Sequence, residues 1–534
     1  MRAVTVLRCW GLFLLLFLLG CQSISETAVA PTPQTAAALV LSDAEVAVPL
    51  PSITPPPQST EQPPTFTPLP VPTATATLQP TALPIVAVAV PEAWQPVLQN
   101  AIVELERSHS LWEWQLAAPE TAVIQLVNDA SGILVKQEPL ALTVPFTADW
   151  EETNRAQAEE ILQNGHNYVT VLPWSHLEPH QKALRVDGRF PTDPDYPFQD
   201  SYSLVAADGF ETAAAELAAV LQASEPAIIH LAAVGDLMLA RSLGAALEQG
   251  KLDYPFVHTA DSLRNADITV GNVESALGNI GEPAVKSYPF QAPPEAAEAL
   301  AQAGFDVVSL ANNHAMDYGA EALLQAVSLL ETQGVLPVGA GADSTAAHKP
   351  VMIEQNGMTV AFLSYVNVPV EARSGFDTAS WKATASSPGM AWADPAQIHA
   401  DVTAAAPQAD LVIVLLHSGY EYVAAPSESQ TAAAHAAVDA GADVVIGHHA
   451  HILQGIEFYQ DGVILYGTGN FAFEIDGDPE TAVFHLWLDA EGVRQIQIEP
   501  AIIQFGGQPR PATAAEAYPI RQLIYARTNV LNPR

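Results

Sequence analysis

Three histidines, His448, His449 and His451, fall within four residues, directly after the apolar run Val444, Val445, Ile446 and Gly447. Neutral imidazole is the commonest protein ligand for divalent metals, and a His-x-His pair on a loop can aim two rings at one ion or at neighbouring ions. A histidine-rich loop with no ligand, or one histidine packed beside a sheet, would read the same way. Repetition favours chemistry. Apolar runs at 227–234, 268–270, 305–310 and 411–416 also end in groups that can bind a metal or move a proton: Asp236, then Asn272 and Glu274, then Asn313 and His314, then His417. Singly, each is ordinary, because Asp after Gly is common at turns and a lone His at a strand end is more often packed than ligating.

The elements that must position these groups are legible as well. The apolar runs have the length and composition of strands buried on both faces of a parallel sheet, and helix-like stretches at 294–303, 320–333 and 430–440 separate them. Parallel strands share one C-terminal edge, where α/β folds gather functional groups. The expectation is an α/β fold whose mouth collects Asp236, Glu274, Asn313, His314, His417, His449 and His451. Carboxylate, amide and imidazole donors suit Mn²⁺, Fe²⁺ or Zn²⁺. Further strands are expected at 463–465 and 482–488, with a tight turn at 467–471 between them. After about 504 the text reads as irregular, with a short helix near 520–527.

At 534 residues the chain is too long for one core, and two or three domains are expected. It carries 20 Lys plus Arg against 59 Asp plus Glu, a formal net charge of −39. That balance argues against a nucleic-acid partner and would repel a polyanion unless a metal or local basic residues met it. Residues 1–20 combine Arg2 and Arg8 with an apolar run at 10–19, too short to span a bilayer but suited to a signal peptide. Residues 22–84 are rich in Pro, Thr, Ala and Ser, and no Lys or Arg occurs between Arg8 and Arg107. Such a segment cannot bury enough apolar surface to fold and reads as a spacer, with a reach on the order of 100 Å. Residues 85–225 read as a smaller α/β domain, with apolar runs at 122–127, 140–144 and 168–172 and helix-like stretches at 149–164 and 209–222. No polar cluster there commits to a ligand. The main domain is expected at 226–505 and a tail at 506–534.

Leu18-Leu19-Gly20-Cys21 resembles a bacterial lipobox, which implies cleavage before Cys21 and a lipid on its sulfur. The protein would then be extracytoplasmic and lipid-anchored to a bacterial membrane. The order Asp…Asn-x-Glu…Asn-His…His…His-x-His is similar to the calcineurin-like metallophosphoesterase superfamily. More closely, the chain resembles the CapA family of poly-γ-glutamate capsule proteins. The matching words are VGDLMLAR (234–241), ADITVGNVES (266–275), GFDVVSLANNHAMDYG (304–319), LLHSGYEY (415–422), GADVVIGHHAHILQGIE (441–457) and LYGTGNF (465–471). The resemblance implies a metallophosphoesterase-like layered α/β sandwich. It implies metal ligation by Asp236, Glu274, Asn313, His417, His449 and His451, proton transfer by His314, and Arg241 close to the reaction. Asn272 matches a family position near the site, Lys286 could supply positive charge to an anionic substrate, and His448 is an extra imidazole on the substrate side. The segments PLALTVPF (139–146) and ALRVDGRFPTDPDYPF (183–198) resemble parts of periplasmic solute-binding domains.

There are departures from the pattern. Asp236-Leu237-Met238 stands where the superfamily has Asp-x-His, Glu274 where Asp is usual, Ser418 where tryptophan is usual, and Ala450 where proline is usual. One ion, or two with the second loosely held, follows from the missing imidazole. The implied activity is metal-dependent hydrolysis or group transfer on poly-γ-glutamate or another anionic envelope polymer. The alternative is a non-catalytic assembly factor that uses the same cleft to hold the polymer or a membrane synthase subunit.

Overall fold

The computed structural model describes residues 83–223, 227–371, 375–474 and 477–533. Every described residue belongs to one compact unit, Pro80–Arg534. The expected signal peptide, Cys21 and most of the spacer lie outside the described residues.

Residues 85–223 form a seven-stranded sheet in which Glu113–Leu116, Ile85–Ala89, Ile124–Val127, Gln199–Ala206, Ile133–Pro145 and Thr170–Pro173 lie side by side. Helices Gln95–Arg107 and Glu211–Ala223 bury Leu98, Leu105, Leu217 and Leu221 against Val86, Val88 and Ile124.

The larger part is a four-layer sandwich. Its first sheet runs Leu336–Val338, Val307–Ser309, Ile268–Val273, Ile229–Met238, Glu480–Asp489, Gly492–Ile503 and Pro509–Pro511. Its second runs Val351–Gln355, Met358–Asn367, Leu411–Ser418, Val444–His448, Gly462–Leu465 and Ile456–Tyr459. The central strands of each are parallel; antiparallel strands close both flanks of the second sheet and one flank of the first, whose other edge, Leu336–Val338, is parallel. Side chains alternate across a strand, so each apolar run serves two layers. Leu231, Ala233, Ile413, Leu415, Val444 and Ile446 meet between the sheets. Their neighbours Ala232 and Val234 face helices Glu295–Ala303 and Gly319–Thr332, while Val412, Val414 and Val445 face helices Pro395–Ala405 and Glu428–Asp439. Each fully buried Leu or Ile contributes about 1.5–3 kcal/mol, so the double-sided pattern fixes the layering.

Two expectations are corrected. The strands run further than their apolar runs: Ile229–Met238 contains Asp236, and Ile268–Val273 contains Asn272. A register shift between Ala233 and Asp236 lets pairing continue, and Asn470–Phe473, expected as part of a turn, pairs with Asp236 and Met238. The tail is not irregular. Helix Ala514–Leu531 starts on a capping box formed by Thr513 and Glu516 and drives Ile520 and Ile524 into the space between the sheets. It also covers an edge strand, since the Ile456 and Phe458 N–H groups donate to Thr528 and Asn532 at 3.0 and 2.9 Å. Pro519 inside this helix is what makes the sequence read as broken.

Candidate metal centre

The C-terminal edges of the two sheets meet in one mouth. Gly235 and Gly447 let the chain reach it, because a Cβ on the first would collide with the Gly469 carbonyl and on the second with the Tyr466 carbonyl. Asp236 then lies beside Asn272, whose amide donates to Asp236 Oδ1 at 2.8 Å and lies 3.1 Å from His417 Nδ1. The His449 N–H donates to the other Asp236 oxygen at 3.2 Å. His449 and His451 hold φ of 84° and 56°, a left-handed conformation that costs a non-glycine residue and persists where the surroundings impose it.

Six side chains converge. Ligand atoms of Glu274, His417 and His449 lie within 4.8 Å of one another, and so do those of Asp236, Glu274 and His451. Glu274 belongs to both trios. Its two oxygens lie 3.5 Å from His417 Nε2 and 3.8 Å from His451 Nδ1 respectively. Asn313 Oδ1 is 2.7 Å from His417 Nε2.

The electrostatics fit a divalent cation. Glu274 Oε1 and Oε2 and His449 Nδ1 are buried with no hydrogen-bond partner among the described residues. A buried polar atom left so costs about 1–3 kcal/mol, more when charged. Burial, with Asp236 beside it, holds the Glu274 carboxyl well above the usual range. Burial pushes His417 well down and His449 down to about 3, each aided by a neighbouring histidine, so both imidazoles are neutral donors. Burial acts the same way on His451, but Glu274 and Asp236 override it and raise it to about 10. Two buried carboxylates thus demand positive charge. Carboxylate and imidazole in this arrangement match Mn²⁺, Fe²⁺ or Zn²⁺, and a carboxylate common to two trios suits a two-ion site.

Beside this cluster lies a cleft of about 370 Å³, lined by Arg241, Tyr288, Phe290, Asn313, His314 and His451 among others. His314 Nδ1 sits 2.7 Å from Asp317 Oδ2, which fixes the ring and leaves Nε2 for proton transfer. Arg241, at φ 51°, holds its guanidinium 4.8 Å from the centre of the Phe290 ring.

The structure brings Asp236, Glu274, Asn313, His314, His417, His449 and His451 together, with Arg241 at the opening. It does not bring Asn272, Lys286 or His448 to the substrate side, and this corrects the expectation for all three. Asn272 is fully buried beneath Asp236. Lys286 is enclosed by Asp317, at 2.6 Å, and by Glu371, so its charge is neutralised internally. His448 is buried with Nδ1 3.3 Å from Asp236 and 3.2 Å from the Thr468 hydroxyl. Spacing tells that a residue reaches the mouth, not on which side of the ligand cluster it ends. Sequence reasoning gave no role to Asp317, to Asn470, whose Oδ1 is 2.8 Å from His451 Nδ1, or to Glu421, which lines the cleft. Asp317 is within reach of the sequence, since it stands in the word that carries Asn313 and His314.

The family model described as bacterial capsule synthesis protein PGA_cap matches residues 230–475. The capsule biosynthesis protein CapA of Bacillus anthracis is 33% identical over 292 residues, 53% of this chain and 69% of that protein. The chain belongs to the CapA family. The PGA biosynthesis protein CapA of Bacillus subtilis is 34% identical over 250 residues, 46% of this chain and 64% of the relative. A probable polyglutamine synthesis accessory protein of Mycobacterium tuberculosis is 34% identical over 221 residues, 40% of this chain and 57% of the relative. The match thus spans just over two thirds of one CapA relative and less of the others. All the ligand trios lie inside the matched residues.

Proposed function

We propose that this chain is an envelope protein of poly-γ-glutamate capsule biosynthesis or processing, and that it acts as a metal-dependent hydrolase or transferase. The observation that carries the reading is Glu274, shared by two ligand trios and buried with neither oxygen hydrogen-bonded among the described residues. The names of the relatives support the polymer. Asp236, Glu274, Asn313, His417, His449 and His451 would hold one or two divalent ions, which when bound polarise a phosphoryl or carbonyl oxygen and acidify a water.

The chain's own residues supply the rest. Asn272 fixes Asp236 in orientation. The Asp317 carboxylate accepts from His314 Nδ1–H and orients the ring, so that Nε2, when it also carries a proton, can give it to the leaving oxygen or nitrogen. Buried Lys286 balances Asp317 and Glu371, and Arg241 offers positive charge at the opening, where Tyr288 and Phe290 limit access by water.

No helix among the described residues is long and apolar enough to cross a membrane. Membrane attachment in this reading is by a lipid on Cys21, on the strength of the Leu18-Leu19-Gly20-Cys21 tetrad. Membrane-embedded polymer synthase subunits are the partners it implies. Metal content, with turnover of a generic phosphodiester and of γ-glutamyl peptides, tests the reading. Folded protein that takes up no divalent ion contradicts it.

A second reading, a non-catalytic factor that holds polymer in the same cleft, is favoured by one observation. Fully buried Met238 stands where the superfamily pattern has an imidazole. Polymer binding that survives His449→Ala, with no turnover in the wild type, would select it.

A further inference from the structure

A second cavity, of about 870 Å³, opens between the 85–223 region and the antiparallel strands Glu480–Asp489 and Gly492–Ile503. It shares no lining residue with the cleft at the metal centre. It takes in His230, near the start of the strand that carries Asp236, so about 20 Å of extended chain separates the two sites. The segment 183–198, which the metal chemistry leaves without a role, supplies Arg185, Phe190 and Asp193 to its wall.

The carboxylates of this cavity are largely occupied. Glu499 accepts from the Ser262 hydroxyl and lies 2.9 Å from His485 Nε2. Glu151 meets Lys182 and the Tyr525 hydroxyl, and Asp193 accepts the Phe190 N–H at 2.8 Å. The guanidinium groups are not. Arg185 is half-buried; its backbone N–H donates to the Glu151 carbonyl at 3.0 Å, but among the described residues its guanidinium makes no hydrogen bond and no close ion pair, overhanging the Phe190 ring 6.0 Å from its centre and acting on Glu499 only through space. Arg521 has a single loose ion pair among them, 3.9 Å from Glu151. Neither guanidinium is held by a close carboxylate, so both are free to turn toward an anion in the cavity. The guanidinium fork matches the paired oxygens of a carboxylate or a phosphate. The adjoining wall is aromatic, with Phe190 and Trp487 ring centres 4.6 Å apart. That surface suits a carbon frame rather than a bare inorganic anion, and the volume is that of a small-ligand site.

We propose that this cavity binds an organic carboxylate, the class that includes short acidic peptides, with Arg185 and Arg521 on the carboxylate and Phe190 and Trp487 against the chain of the ligand. The proposal stands apart from the metal reading, because the two sites have no residue in common.

Calorimetric titration of the full chain in the His449→Ala background, where the metal centre is disabled, isolates this cavity. γ-Linked triglutamate is expected to bind saturably, excess inorganic phosphate is expected not to displace it, and Arg185→Gln is expected to weaken it about tenfold or more. Arg521→Gln provides an independent second variant, and a thermal melt of each confirms that the fold is intact. Absence of saturable binding at millimolar peptide, equal affinity in both arginine variants and their parent, or binding of phosphate in preference to the peptide would each overturn the proposal.

Discussion

Aspartates stand at both ends of the parallel strands, and they do opposite things. At the N-terminal edge, Asp267, Asp306, Asp410 and Asp443 each precede a strand and accept the backbone N–H of the strand alongside. The four bonds, from His230, Thr269, Thr359 and Val412, measure 2.8, 2.7, 2.8 and 2.7 Å. Each staples two strands, and the backbone satisfies it. At the C-terminal edge, Asp236 is held by an asparagine amide, one N–H and two imidazoles, and Glu274 has no hydrogen-bond partner among the described residues. A carboxylate that the backbone satisfies serves stability. One that is buried among imidazoles and left unsatisfied by hydrogen bonds has the chemistry to hold a cation, and the fold bears its cost.

Substitutions should separate the two edges cleanly. The largest effect is expected at the mouth. Glu274→Gln or His449→Ala should abolish metal retention and drop turnover below about one hundredth of wild type, without lowering the melting temperature of the metal-free protein. Metal analysis beside a melting curve checks this, and a large loss of stability would place Glu274 with the staples instead. Next, His314→Ala should lower kcat by about 10²-fold while bound metal stays, with Asp317→Asn smaller in the same direction. Metal loss in His314→Ala would make that ring a ligand.

Asp306→Ala should cost about 1–3 kcal/mol in denaturant unfolding and leave metal content unchanged, because it strands the Thr269 N–H. The smallest effect is a pH signature. Burial raises Asp443 to about 6, against an ordinary carboxyl near 4 in the unfolded chain. The stability this group contributes is present below pH 4 and is lost as pH rises through 6. Asp443→Asn should remove that part of the slope, and an unchanged slope between pH 4 and 6 would show that Asp443 is not its source.

The double-sided apolar runs make the sandwich and its mouth readable in the sequence, because strands buried on both faces announce themselves and parallel strands leave few places for polar ends to go. Other features were hidden for definite reasons. Helix Ala514–Leu531 carries Pro519, a residue that ordinarily marks a helix boundary. Lys286 and His448 were assigned to the substrate side because sequence spacing cannot say which side of the cluster a side chain occupies; Asp317 and Glu371 decide it for the lysine, and Asp236 and Thr468 for the histidine. The aspartate staples were present as an Asp before each strand, but only the pairing shows their common partner. The arginine-lined cavity draws on residues from 151 to 521, too scattered to read as one place.

The most direct test is the number of divalent ions bound per chain by the full-length protein, purified and supplied with Mn²⁺, Fe²⁺ or Zn²⁺, against Glu274→Gln prepared the same way. One or two ions in the wild type and none retained in the variant is the predicted result. A wild-type chain that folds cooperatively and binds no ion, or a Glu274→Gln chain that binds as many, would contradict it.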